Sequence, residues 1–81
     1  MTYLVDRTMA SEHLKLAERH VAEGQRRVNT QLALVARLEQ EGHSTQEATT
    51  LLYRLEETLA LQVRTRDRIA EELISTALPR S

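Results

Sequence analysis

The chain has 81 residues, 41% of them apolar, and eleven Lys and Arg stand against twelve Asp and Glu for a formal charge of −1. That length is too small for two independently cored domains, so a single unit over residues 1–81 is expected, and the charge balance excludes a strong global field toward nucleic acid or anionic lipid. Cys, Phe and Trp are absent and Tyr occurs twice, which excludes disulfide and thiolate–metal chemistry and leaves Leu, Val, Ile, Met and Ala to build any core.

The signs are mixed along the chain: residues 1–42 carry six basic and six acidic side chains, and residues 43–81 carry five and six. No apolar run approaches the roughly 20 residues that cross a bilayer, and Asp6 and Arg7 interrupt the N-terminus before a secretory apolar segment can form. The expected compartment is the cytoplasm.

The first element is marked by an apolar seam at Leu14, Ala17, Val21, Gly24, Val28, Gln31, Val35 and Leu38, spaced alternately by three and four residues as one stripe of a helix requires. The spacing predicts a helix over residues 9–41. Asp6, Thr8 and Ser11 are candidate N-caps, with Thr8 to Ser11 favoured, because a short side-chain oxygen there accepts an exposed backbone N–H. Gly24 weakens a helix by about 1 kcal/mol relative to Ala but lets a partner backbone come close. The seam keeps its phase across Gly24, so no turn is expected there. Gln31 either hydrogen-bonds across the interface or reaches solvent at its edge.

The central punctuation is Glu41-Gly42-His43-Ser44-Thr45-Gln46-Glu47. Gly42 suits the left-handed conformation just beyond a helix. Ser44 and Glu47 match a capping box, with Ser44 as cap and Glu47 reaching back to its N–H. His43 is expected to close over the end of the turn, with Ala48 as a hydrophobic partner. So short a link joins antiparallel helices. The second helix is predicted over 45–77, with Pro79 stopping it. Its seam is Ala48, Leu51 or Leu52, Leu55, Leu59, Gln62, Arg66, Ile69 and Leu73, supported by Val63 and Ala70.

Folding at Gly42 and His43 brings residues face to face when their numbers sum to 86 or 87. Leu38 then meets Ala48, Val35 meets Leu51 and Leu52, Val28 meets Leu59, Ala17 meets Ile69 and Leu14 meets Leu73. Agreement between turn chemistry and two independent seams specifies an all-α, antiparallel, coiled-coil-like hairpin. Leu16, Leu32, Leu34, Leu51, Leu61 and Ile74 fall beside the seam, more than one two-helix contact covers. The expected solution is a homodimer forming a four-helix bundle.

The segments Glu18-Arg-His-Val-Ala-Glu-Gly-Gln-Arg-Arg-Val, Leu34-Val-Ala-Arg-Leu-Glu-Gln-Glu-Gly-His-Ser-Thr-Gln-Glu-Ala and Leu51-Leu52, together with the Asp67-Arg68 pair, resemble small alphaproteobacterial helical-hairpin proteins with a Leu-Glu-x-x-Gly-His-x-Thr-x-x-Ala turn. The resemblance spans roughly residues 13 to 73 and is most specific at the turn. It implies a bacterial origin and a helical hairpin; it brings no activity and no catalytic residue.

The residues offer little for chemistry. His13 and His20 are seven apart, about 10 Å along a helix, too far to share one zinc ion; His20 and Glu23 make only a pair, short of the usual three or four ligands. Glu56-Glu57 and Glu71-Glu72 are adjacent, so the members of each pair diverge. No metal, cofactor or enzymatic activity is expected.

The sharpest polar feature is a mid-rod cluster of Arg19, Arg26, Arg27, Arg64, Arg66 and Arg68, with Glu18, Glu23 and Asp67 expected to neutralise part of it. Phosphate contacts through these arginines make a nucleic-acid-binding regulator the alternative to a protein-interaction scaffold. Arg66 falls in the seam opposite Val21, so it must reach a carboxylate or the edge of the bundle. With Gly24, Gln31 and Gln62 it forms a polar middle suited to fixing register or partner choice. The residues expected to carry packing are Leu14, Val21, Val28, Val35, Leu38, Leu55, Leu59, Ile69 and Leu73.

Overall fold

The computed structural model describes residues 2–77, with side chains described over residues 7–75. Pro79, the expected stop of the second helix, and the side chain of Asp6 lie outside these. Two helices account for nearly all of it, α1 over Thr2–Gln40 and α2 over Gln46–Ala77, packed against each other with no strand among the described residues. The Cα extents are 62 × 20 × 14 Å and the radius of gyration is 18.4 Å, against about 12 Å for a compact domain of this length. The molecule is a rod.

α1 begins seven residues before the expected start, so positions 6, 8 and 11 are helical and none caps it. Neither Gly nor Pro occurs before Gly24 to stop the helix. The seam also continues backward by sevens: Ala10 and Arg7, one heptad before Ala17 and Leu14, are half-buried. The helix runs uninterrupted through Gly24.

At its C-terminus, Glu41 N–H donates to the Arg37 carbonyl at 3.0 Å, Gly42 N–H to Glu39 at 3.1 Å and His43 N–H to Leu38 at 2.9 Å. The last two are the paired bonds of a Schellman motif, and Gly42 takes the left-handed backbone it requires, with φ of 75°. Orphaned helix carbonyls are thereby satisfied.

The start of α2 departs from the expected capping box. Thr49 N–H donates to the Thr45 carbonyl at 2.8 Å, making Thr45 the cap. Ser44 Oγ accepts only from Gln46 N–H, at 3.5 Å, and Glu47 returns no bond to Ser44. The Schellman bonds use the backbone through His43, so both Ser44 and Thr45 are spent reversing the chain. His43 does not close over the turn: its side chain is exposed, with Nε2 3.9 Å from Glu41 Oε1.

The seam residues are buried or half-buried along both helices. Gly24 faces Gln62, and Val28 and Leu59 line one cleft, both at the expected register. Leu52, not Leu51, enters the interface: Leu52 is 7% exposed and Leu51 46%. Among the described residues only Ala17, Val28 and Leu52 reach full apolar burial, and no large side chain is completely enclosed.

Candidate functional site

Two kinds of surface stand out, a polar stretch inside the seam and apolar side chains outside it. Within the seam, Gln31 is buried and its Nε2 donates to the Ala48 carbonyl at 2.8 Å. This bond crosses the interface and satisfies the amide's donor side. Gln62 is different. Its Oε1 is buried without a hydrogen-bond partner and lies where a Cβ on residue 24 would stand, while Leu59 Cδ1 is 3.2 Å from that same position. Gly24 is therefore the residue whose missing side chain admits the Gln62 amide.

Arg66, half-buried beside this pair, donates from Nε and Nη2 to Asp67 Oδ1 at 3.0 and 2.9 Å. The partner is its own neighbour in sequence, so the guanidinium leaves the seam by its edge, where its charge remains hydrated.

The other arginines are not neutralised as expected. Among the described residues, Glu18 and Glu23 pair with none of them, and Arg19, Arg26, Arg27, Arg64 and Arg68 are exposed without an ion pair. The hairpin brings all six arginines to one stretch of the rod but distributes them around it. Arg26 and Arg27 border a cleft with Glu23 and Leu55 on one side, and Arg64 borders a cleft on the other. Arg19 and Arg26, seven apart, share the outer face of α1.

His13 and His20 are exposed on α1, and Glu56, Glu57, Glu71 and Glu72 are exposed on α2. Among the described residues no three His, Asp or Glu side chains converge on a point where a metal ion would be held. Among them, too, no helix is long and apolar enough to cross a membrane.

The apolar surface is larger than the seam arithmetic anticipates. Leu16, Leu32, Leu51, Leu61 and Ile74 are exposed, and Leu34 is half-buried. Met9 and Tyr53 join them. Tyr53 was legible from its position, since one residue past Leu52 is about 100° around the helix and outside the contact; Met9 follows from the greater length of α1. A cleft of about 690 Å³ opens on one flank between the helices, lined in part by Leu32, Ala60 and Val63, with seam residues Val28 and Leu59 at its floor.

No protein family, curated protein or solved structure matches this chain.

Proposed function

We propose that the chain is a small, non-enzymatic scaffold or protein-interaction module of the cytoplasm that acts through self-association, two hairpins forming a four-helix bundle. One observation carries this reading: among the described residues seven large apolar side chains are exposed while only three apolar residues are fully buried. The accessible surface is 6545 Å², against roughly 5,000 Å² for a compact monomer of 9.3 kDa. The excess of about 1,500 Å² per chain is in the range that obligate homodimers remove from water. Sedimentation velocity across a concentration series tests the reading. A dimer persisting to low micromolar concentration is expected; a well-folded monomer at high micromolar concentration would refute it.

The second reading is nucleic-acid binding, favoured by the mid-rod cluster, five of whose arginines are exposed and make no ion pair. Its test is binding to RNA and DNA across a salt series. Phosphate contacts predict a steep loss of affinity with salt and a shallower slope when Arg19 and Arg26 on the outer face are replaced by Gln.

A further inference from the structure

We infer that a second copy of this chain docks on the flank bearing Leu32, Tyr53 and Ala60, antiparallel to the first, with the twofold axis passing beside Ala60. This rests on the self-association reading and names its surface.

The two flanks of the hairpin are defined by the side chains that border its clefts. Gln25, Leu32, Glu56, Ala60 and Val63 mark one; His20, Thr58, Leu61 and Thr65 mark the other. Residues seven apart repeat a flank, so Tyr53, Asp67 and Ile74 continue the line of Ala60, and Arg54 and Arg68 continue the line of Leu61. On the first flank the middle of the rod sets small apolar residues between Glu56 and Arg64. Ala60 and Val63 border the cleft with Leu32, and the exposed Ala22 stands one helical turn before Gln25. Small residues there let helices approach closely, and the open cleft leaves the half-buried Leu59 within reach of a second chain.

Charge complementarity selects the geometry. When two antiparallel copies are related by a twofold axis at one height, each residue meets the one equally far beyond that height on the partner's equivalent helix. On α2, Glu56 and Arg64 lie four residues to either side of Ala60, and both border the cleft. An axis beside Ala60 therefore sets Glu56 of each copy against the partner subunit's Arg64, twice per dimer. The same axis brings the exposed Tyr53 hydroxyl to the level of the partner subunit's Asp67, a carboxylate that accepts from it.

On α1 an axis at the height of residue 27 sets Leu32 against the partner's Ala22, both exposed. The centres on the two helices, 27 and 60, sum to 87. They lie at one height in the hairpin, and a single axis serves both.

Centred on its own Leu61, the opposite flank fails this condition. An axis at nearly the same height, beside Leu61, would place Arg54 against the partner's Arg68, two like charges, twice per dimer. Such a juxtaposition rejects that arrangement.

The experiment compares dimer dissociation constants, by sedimentation at low salt, for the native chain, Glu56→Arg, Arg64→Glu and the double swap. Each single reversal sets like charges across the axis twice per dimer and is expected to weaken association about tenfold or more, while the swap restores it to within about threefold. In parallel, because the chain contains no cysteine, Ala60→Cys should oxidise to a disulfide-linked dimer and Leu61→Cys should not, since only the former brings the two Cα atoms within about 7 Å across the axis. Singles without effect, or cross-linking through Leu61→Cys in place of Ala60→Cys, would overturn this flank while leaving self-association standing. A native chain that stays monomeric would remove both. Far-ultraviolet circular dichroism of every variant separates loss of association from loss of helix.

Discussion

The half of the rod near the turn and its middle use the same spacing of three and four residues but hold themselves together differently. Near the turn, beneath a Schellman motif, Leu52 is buried and Val35, Leu38 and Ala48 half-buried, and the buried Gln31 donates to the Ala48 carbonyl. In the middle, Gly24 meets a buried, unpartnered amide oxygen, and the seam position on α2 is an arginine drawn out to Asp67. The turn end is specified by burial and backbone hydrogen bonds. The middle is specified by shape, because only a glycine leaves room for Gln62. A polar middle of this kind gives up stability relative to leucine packing. It also discourages slips by one heptad, which would set Gln62 against Gln31 or Ala17, where a side chain already fills the space that Gly24 leaves open.

The largest expected effect lies at the apolar end. Leu52→Ala removes one of the three fully buried apolar side chains among the described residues and should cost about 2 to 5 kcal/mol in urea unfolding. Leu51→Ala, one residue away but exposed, should cost less than about 0.5 kcal/mol in the monomer. Equal losses at the two positions would erase the distinction between the layers.

In the middle the comparison turns on sign. Gly24→Ala gains helix propensity but must displace the end of the Gln62 side chain and crowd Leu59 Cδ1 at 3.2 Å, so the two effects should nearly cancel, to within about 1 kcal/mol. In a Gln62→Ala background the same substitution should become stabilising by up to about 1 kcal/mol. A double-mutant cycle on thermal unfolding reads this coupling directly, and additivity would show that Gln62 does not depend on the glycine.

At the turn, Gly42→Ala meets no steric obstacle, since nothing lies within 4 Å of the added carbon. Its cost comes from the backbone alone, about 1 to 2 kcal/mol for a left-handed residue with a side chain. Gly42→Asn, which tolerates that conformation better, should recover part of it in the same unfolding measurement. The smallest effect belongs to Ser44→Ala, about 0.5 kcal/mol or less, because its 3.5 Å bond is weak and Thr45 provides the cap. Thr45→Ala leaves in place the backbone carbonyl that accepts from Thr49 N–H, so it should cost about as little.

Much of the architecture is fixed by local sequence. Among the described residues Gly42 is the one whose backbone turns left-handed, and two seams of matching phase on either side of it favour an antiparallel pair. These features are legible because helix periodicity and glycine's freedom are properties of the chain itself, independent of distant neighbours. The choice between Leu51 and Leu52 is not, since both sit within reach of the stripe and only the position of α1 decides which is covered. Arg66 likewise had several carboxylates within reach of its long side chain, and its escape route to Asp67 depends on how closely the helices pack around Val21. The pressing of Gln62 against Gly24 and the transfer of the cap from Ser44 to Thr45 belong to the same class. In each case several side-chain geometries satisfy the sequence pattern equally, and the space left between two packed helices selects one.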